Sequence, residues 1–388
     1  MNGTAAGAAL RMGIVAGEPS GDRLGAALIE ALRARVPALE CFGVAGPKMA
    51  AAGCEAWARA EELAVMGLFE VIPHLPRLLR VRRELVARMR AHPPDVYVGV
   101  DFKEFNLSVA RKLKASGIRT VQYVSPQVWA WRQGRVKTMA RAVDLVLCLL
   151  PFEPALYASH GVRAVFVGHP LADQIPLEID RAAARRALLI DADATLIALL
   201  PGSRVDEVQR LGADFAGAAA WIAAQRPGVQ FIAPMATAAV RQVFERQVAA
   251  ILPRIRLTNG AAREALSACN AAIVASGTAT LEALLLQRPM VVAYKLSAAT
   301  AFLVRRLRLV KAPFMAQPNL LAGRALVPEF FQEQVTAATL GQALLGELDD
   351  PARQMLLAEE FRRIHLELRR GGAARAASAI LECAGWAA

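Results

Sequence analysis

Short apolar runs alternate with longer amphipathic stretches along most of the chain. In the first half, the runs of strand length are residues 12–16, 41–45, 96–101, 120–124, 145–149 and 164–167. Runs that are apolar at nearly every position are typical of parallel strands that are buried on both faces. Helical periodicity lies between several of them, for example over residues 23–35. The alternation predicts a parallel sheet that is covered by helices.

A second series of the same kind follows the charged stretch 180–186. Its predicted strands are residues 196–200, 230–233, 255–258, 272–275 and 290–294, with helical patterns at 263–269 and 280–286. Two successive series of similar size predict an α/β protein with two doubly wound Rossmann-like domains facing a cleft. We place the first domain at residues 1–170, the second at 171–350 and a separate helical tail at 351–388.

The charge balance narrows the kinds of partner. With 46 lysines and arginines against 34 acidic residues, the chain of 388 residues has a formal net charge of +12. Nucleic acid, an acidic membrane surface and a phosphorylated substrate all fit this excess. The five cysteines are scattered without a Cys-x-x-Cys pair, which predicts a reducing compartment and neither a disulfide framework nor a metal site. No apolar run is long enough to span a bilayer.

Polar residues follow two predicted strands of the first domain. Ligands of open parallel sheets bind beyond the carboxyl ends of the strands, so these loops are candidate sites. Glu18, Ser20 and Asp22 follow the first strand, and Ser20 or Asp22 could instead cap the next helix. Asp101 follows a later strand, where a carboxylate could accept a proton from an attacking hydroxyl. Capping of the following helix is an equally weighted alternative for Asp101.

Two loops of the second domain suit a nucleotide diphosphate. Arg204 offers a fork of donors beside the N–H groups of Gly202 and Ser203, after the strand at 196–200. A strand, a small-residue turn and a helix follow each other at 272–286, which directs helix N–H groups toward an anion. The polar or small residues of this turn are Ser276, Gly277, Thr278 and Thr280. Glu282 could accept hydrogen bonds from both ribose hydroxyls, or merely complement the helix dipole.

A set of motifs between residues 12 and 332 resembles the lipid-A-disaccharide synthase family, glycosyltransferases of the GT-B type. The motifs are VAGEPSGD, VAGPKMAAAGCEA, ELAVMGLFEV, GVDFKEFN, YVSPQVWAWRQGRV, LPFE, VGHPLAD, LLPGSR, SGTATLEAL and QPNLLAGRALVPEFFQ. One departure lies at 101–106, where DFKEFN replaces the family's common DAPDFN. Asp101 and Asn106 are retained, and any role of the family's second carboxylate falls to Glu104.

The resemblance implies the condensation of UDP-2,3-diacylglucosamine with 2,3-diacylglucosamine 1-phosphate in a single inverting displacement. It implies Asp101 as the general base and no metal or cofactor. The positions expected to contact the substrates are Glu18, Ser20, Asp22, Asn106, Arg204, Ser276, Gly277, Thr278, Thr280, Glu282 and Asn319.

An apolar stretch at 63–73 suits a peripheral membrane contact. It contains Leu68, Phe69 and Ile72, and arginines including Arg77 and Arg80 follow it. Apolar anchors beside basic residues are typical of binding to an anionic bilayer, here the cytoplasmic face of the inner membrane. A similar basic stretch lies at 301–311. Each stretch alone also fits an ordinary amphipathic helix, and a homodimer remains compatible with the sequence.

Three other functions are weighed against this one. A UDP-N-acetylglucosamine 2-epimerase would share the nucleotide half but has no need of apolar patches flanked by arginines. A peptidoglycan transferase would show Gly-Gly-rich phosphate loops, which this chain lacks. Nucleic-acid binding would suit the charge, but the arginines lie among aliphatic residues and not among base-stacking aromatics, so no nucleic acid is expected.

Overall fold

A computed structural model describes residues 9–60, 63, 71–126, 135–249, 254–297, 300, 306 and 313–386. The chain forms two compact units, Met1–Asp173 with Leu368–Ala388, and Gln174–Glu367. Each unit contains one parallel sheet with helices, so the predicted pair of doubly wound α/β domains is confirmed. No helix in the described part of the chain is long and apolar enough to cross a membrane.

The first unit is built on a sheet of seven parallel strands. They are β1 Arg11–Ala16, β2 Glu40–Ala45, β3 Glu55–Arg59, β4 Val96–Val100, β5 Arg119–Tyr123, β6 Leu145–Cys148 and β7 Arg163–Phe166. Their order in the sheet is β3-β2-β1-β4-β5-β6-β7. From β1 the chain adds β2 and β3 on one side of the sheet and then β4 to β7 on the other side. The carboxyl ends of β1 and β4 therefore form the topological switch point, where ligands bind in such folds.

Up to residue 174, the described helices alternate with these strands. They are α1 Pro19–Arg33, α2 Pro47–Ala51, α3 Val71–Ala91, α4 Lys103–Lys114, α5 Arg135–Ala142, α6 Glu153–Ala158 and α7 Pro170–Gln174, which ends at the boundary between the units. In α1, Leu28, Ile29 and Leu32 are buried while Arg23 and Glu30 are exposed, the pattern of a helix that packs one face on a sheet. Pro19 starts this helix, a position that requires no N–H donor.

The second unit has a sheet of six parallel strands. They are β8 Leu196–Leu200, β9 Gln230–Met235, β10 Ile255–Asn259, β11 Ala271–Ala275, β12 Met290–Tyr294 and β13 Glu329–Phe331, in the order β10-β9-β8-β11-β12-β13. Its switch point therefore lies between β8 and β11. The described helices are α8 Arg181–Ala187, α9 Val205–Gln225, α10 Ala238–Ala249, α11 Ala262–Ala268, α12 Thr278–Leu285, α13 Gln317–Ala322, α14 Ala337–Asp349 and α15 Pro351–Leu368.

The predicted separate tail at 351–388 is wrong. Helix α15 belongs almost entirely to the second unit, whereas the last helix, α16 Gly372–Ala384, belongs to the first. Ala376, Ala377 and Ile380 of α16 are buried in the same hydrophobic core as β1, because small residues on one face allow close packing against α1. The Asp173 carboxylate fixes the start of α16 by accepting the N–H groups of Gly371 at 2.9 Å and Gly372 at 2.7 Å.

Candidate active site

The loops after β1 and β4 lie side by side at the switch point of the first sheet, because Ala16 pairs with Val100. The ring of Phe102 lies against Gly17, where an added Cβ would come within 2.7 Å of the ring, so the approach requires glycine. The neighbouring predicted site residues Glu18 and Ser20 are exposed. They are thus accessible at the carboxyl ends of the strands, where a substrate is expected.

Asp101 occupies an unusual backbone conformation directly after β4. Its φ is 48° and that of Phe102 is 37°, both in the left-handed region. Helix α4 begins at Lys103 with Phe102 as its cap residue and without a side-chain cap hydrogen bond, so the alternative that Asp101 caps this helix is wrong. The half-buried carboxylate of Asp101 has no hydrogen bond or ion pair with any residue that the structure describes.

Asn106 does not contact solvent, which corrects its prediction as a substrate-binding residue. Its side chain is fully buried, and its Nδ2 donates to the carbonyl oxygens of Val15 at 3.3 Å, Val100 at 3.2 Å and Asp101 at 3.0 Å. Its Oδ1 accepts the Tyr97 hydroxyl at 3.2 Å. Strand ends leave carbonyls without ladder partners, and a buried amide satisfies them. Asn106 therefore shapes the switch point from within.

Gln122 is a second buried amide at the same place, and the sequence analysis missed it. Its Nε2 lies 3.0 Å from the carbonyl oxygen of Asp101 and 3.3 Å and 3.4 Å from those of Tyr123 and Val124. The signal that could have found it is an amide in the middle of the predicted strand at 120–124, where a buried parallel strand usually has an apolar residue.

Asp22 is also a structural residue, and its predicted site role is corrected. Its carboxylate is buried and accepts the backbone N–H groups of Lys48 and Met49, each at 3.0 Å. The physical reason is that α1 already begins at Pro19, which places Asp22 one turn inside the helix and facing the start of α2. Asp22 thus caps a neighbouring helix and not its own.

Replacement of Asp22 by alanine is expected to lower the free energy of unfolding by about 1–3 kcal/mol, because two backbone donors lose a charged acceptor. The affinity for UDP should not change. Thermal unfolding and calorimetry measure the two effects, and Arg23→Ala, at an exposed neighbouring position, is the control. Unaltered stability combined with lost turnover would return Asp22 to the substrate site.

At the second switch point, Arg204 follows β8 and presents an accessible guanidinium. Its side chain is 83% exposed and lies 3.9 Å from the Glu207 carboxylate. By comparison, Lys295, which follows the strand β12 of the same sheet, is only 24% exposed and forms an ion pair with Asp214 at 2.5 Å. Glu207 accepts the N–H groups of Ser203 at 3.0 Å and Arg204 at 3.3 Å. The predicted contact between the Ser203 N–H and a diphosphate is therefore corrected, whereas the exposed guanidinium of Arg204 is an available donor.

The turn after β11 divides into accessible and buried parts. Gly277 and Thr278 are exposed at the start of α12, and Ser276 is half-buried with its hydroxyl donating to the Met315 carbonyl at 3.2 Å. Thr280 is fully buried and donates to the Gly277 carbonyl at 2.7 Å. Its predicted ligand contact is corrected, since the hydroxyl closes the first helical turn. Glu282 is half-buried, beyond that turn.

Asn319 was predicted to bind UDP, but its amide is satisfied within the chain. It is 1% exposed, its Oδ1 accepts the N–H groups of Leu326 and Val327 at 2.8 Å each, and its Nδ2 donates to Val327 and Glu329 at 3.0 Å each. Glu329 also accepts the N–H of Met315 at 2.6 Å. Asn319 thus secures the segment that Ser276 contacts, which corrects the prediction of a direct ligand contact.

The predicted membrane contact falls mainly outside the described residues. Leu68 and Phe69 lie outside them, as does the side chain of Ile72, whose backbone belongs to α3. Arg77 and Arg80 are exposed on α3. Within the described ranges, no group of three or more His, Cys, Asp or Glu residues is arranged to hold a metal ion.

Sequence comparison relates the chain to one family over nearly its whole length. The profile of the family described as lipid-A-disaccharide synthetase matches residues 12–381. The lipid-A-disaccharide synthase of Alkalilimnicola ehrlichii is 51% identical over 380 residues, which cover 97% of this chain and 99% of that protein. The synthase of Pseudomonas aeruginosa strain UCBPP-PA14 is 50% identical over 374 residues, covering 96% and 98% of the two chains.

Solved structures with the same fold include two UDP-sugar or glycosyl-transfer proteins of low sequence identity. The glycotransferase of kitacinnamycin has a TM-score of 0.62 at 18% identity, covering 96% of this chain and 98% of that one. The UDP-GlcNAc 2-epimerase of Neisseria meningitidis, bound to UDP-GlcNAc, has a TM-score of 0.61 at 11% identity, with coverage of 96% and 98%. These likenesses show the fold alone, so the choice between transferase and epimerase rests on the sequence relatives.

Proposed function

Because the chain belongs to the lipid-A-disaccharide synthase family, we propose that its two switch points carry separate parts of one reaction. The enzyme joins UDP-2,3-diacylglucosamine to 2,3-diacylglucosamine 1-phosphate and releases lipid A disaccharide 1-phosphate and UDP. The acceptor hydroxyl is activated at the first switch point, and the UDP moiety binds at the second. The unpartnered carboxylate of Asp101 carries this assignment.

Asp101 acts as the general base. Its carboxylate accepts the proton of the acceptor's 6-hydroxyl while that oxygen attacks the anomeric carbon of the donor, and the bond from this carbon to the diphosphate breaks. The α-linked donor thereby yields a β-linked product in one inverting step. Two observations support the role, namely the absence of a capping bond and a left-handed backbone, since strained conformations concentrate at functional sites.

The second switch point supplies the groups that hold UDP. The exposed guanidinium of Arg204 pairs with the diphosphate and stabilises the charge that develops as UDP leaves. The first N–H groups of α12, at the exposed Gly277 and Thr278, face the same anion. Glu282, one turn further, accepts the ribose hydroxyls, and Ser276 lines the turn. Glu18 and Ser20 remain proposed contacts of the acceptor.

The test of this function is UDP release from purified enzyme supplied with both acylated substrates in detergent. UDP should form in equimolar amount with the disaccharide phosphate, and only when the acceptor is present. Equal UDP release without acceptor would indicate hydrolysis. Interconversion of UDP-N-acetylglucosamine with its 2-epimer would indicate the epimerase and contradict the proposal.

We further propose that the enzyme binds peripherally to the anionic cytoplasmic face of the inner membrane, where its acylated substrates lie. Arg77 and Arg80, exposed on α3, follow the apolar stretch 63–73 directly. Basic side chains near a bilayer surface each contribute about 1 kcal/mol with anionic lipids.

Changing Leu68, Phe69 and Ile72 together to serine is expected to shift the enzyme from the vesicle pellet to the supernatant and to leave the thermal unfolding midpoint near that of the parent. Anionic vesicles and sedimentation measure the shift. Leu189→Ser is the matched control, because this leucine is 85% exposed and belongs to the second unit. Equal sedimentation of the triple variant and the control would contradict membrane contact at 63–73.

A further inference from the structure

Three non-glycine residues with positive φ follow the ends of two neighbouring strands. Asp101 and Phe102, after β4, have φ values of 48° and 37°, and Val124, after β5, has a φ of 75°. A β-branched residue such as Val124 is a conformational outlier at positive φ. Any non-glycine residue is uncommon there, and Asp101 and Phe102 are two in succession. Such backbone persists only where its surroundings hold it.

A single carboxamide joins these two strand ends. The Nε2 of Gln122 donates to the carbonyl of Asp101 at 3.0 Å and lies 3.4 Å from that of Val124. Asn106 donates to the same Asp101 carbonyl, also at 3.0 Å. The carbonyl of the proposed base is thus held by two side-chain amides that come from different elements, β5 and α4.

Gln122 is an unfavourable residue for this place on stability grounds alone. Its side chain is fully buried, and its Oε1 has no hydrogen-bond partner among the residues that the structure describes. Burial of an unsatisfied polar atom is destabilising, whereas an aliphatic side chain in a buried strand is not. Gly99 pairs with Gln122 in the β4–β5 register and leaves space for both amide side chains. A Cβ at position 99 would come within 3.1 Å of the Gln122 Oε1 and 2.7 Å of the Asn106 Cβ.

We propose that Gln122, together with Asn106, forms an amide clamp that keeps Asp101 out of the helix-capping conformation and presents its carboxylate to the acceptor. An aspartate just before a helix ordinarily adopts extended backbone and accepts the first helical N–H groups. The clamp fixes left-handed backbone at Asp101 instead, so the carboxylate is diverted from α4. Gln122 is a positioning residue, and its role rests on the proposed function of Asp101 as the base.

Gln122→Met is the direct test, because methionine has nearly the same length and volume but no donor. The matched control is Thr120→Val on the same strand, whose buried hydroxyl donates to the Ala142 carbonyl at 3.1 Å and to Asp144 at 3.0 Å, at the opposite end of the sheet. Thr120→Val should lower the thermal unfolding midpoint, because the hydrogen bonds of a buried hydroxyl are lost, whereas Gln122→Met should not lower it, since the change also removes the unsatisfied Oε1. Only Gln122→Met should lower kcat, by about 10- to 100-fold, with an unchanged KM for the donor, since misplacement by about 1 Å has effects of this size.

A rescue variant separates donation from shape. In Gln122→Glu, a protonated carboxyl keeps one O–H donor toward the Asp101 carbonyl, and ionisation removes it. The ratio of its kcat to that of the parent should therefore be highest at low pH and fall as the pH rises. For Thr120→Val this ratio should not change with pH.

The proposal is overturned if Gln122→Met lowers kcat no more than Thr120→Val does, or if the Gln122→Glu ratio is independent of pH. The base itself is tested separately by Asp101→Asn. If Asp101→Asn is inactive and Gln122→Met is active, the proposal of Asp101 as the base stands and the proposal of the amide clamp fails. An active Asp101→Asn would instead remove the base, whatever the result at Gln122.

Discussion

Replacement of Asp101 by asparagine is expected to lower kcat by about 10²- to 10⁴-fold, the usual contribution of a general base. This loss corresponds to about 3–5 kcal/mol in activation free energy. Asparagine has the same shape, and its own preference for left-handed backbone matches the φ of 48° at this position, so the fold should be retained. The affinity for UDP should not change, because its proposed contacts lie in the second unit.

The measurement is steady-state UDP release, with calorimetric UDP binding as the check on integrity. Glu30→Gln is the matched control, since Glu30 is an exposed carboxylate of the same unit, on α1, with no proposed contact to a substrate. The effect belongs in kcat, because the base interacts more strongly with the acceptor in the transition state than in the ground state. A kcat within a few-fold of the parent would exclude Asp101 as the base, and Glu18 and Glu104 would be the next carboxylates to change.

Glu282→Ala is expected to raise the Kd for UDP by about 100-fold. Two hydrogen bonds from the ribose hydroxyls to one carboxylate are lost, and hydrogen bonds to charged groups contribute about 1.5–3 kcal/mol each, so even partial replacement by water leaves a large effect. Glu282 lies beyond the first turn of α12, and the first turn of this helix contains no acidic residue. The helix dipole acts mainly within that turn, which weakens the alternative that Glu282 merely complements it.

Glu264→Ala is the matched control for this dipole effect. Glu264 is an exposed glutamate in the first turn of α11, which follows the edge strand β10 and not a switch-point strand. Calorimetry should show UDP affinity lost in Glu282→Ala and kept in Glu264→Ala. Equal UDP affinity in both variants would remove Glu282 from the nucleotide site.

The sequence predicted the interior of both sheets and missed two of their edges. Strands such as β4 and β8 are apolar at every position because helices cover both faces, so they are visible in the sequence. The missed strands, β3 and β13, lie at sheet edges. The first carries charged residues at both ends and the second has three residues, so neither shows the apolar run of a buried strand.

The loops of the site were predictable, but the direction of each side chain was not. Asp101, Arg204 and Ser276 follow strand ends at the two switch points, as their places in the sequence predicted, and their roles stay proposals. Polar residues in the same motifs, Asn106 and Asn319, satisfy backbone carbonyls and N–H groups inside the protein. The sequence does not distinguish an asparagine whose amide is buried from one that binds a ligand. Only the packing around the side chain distinguishes them.

The return of α16 to the first unit has a consequence for synthesis on the ribosome. Its buried alanines and Ile380 complete the core around β1, which is translated before the whole of the second unit. All of Gln174–Glu367 is translated before this helix, an interval of roughly 10–40 s at bacterial elongation rates. The second unit is therefore complete in sequence while the first still lacks its last helix. The core around β1 therefore closes only after the whole of Gln174–Glu367 has been translated.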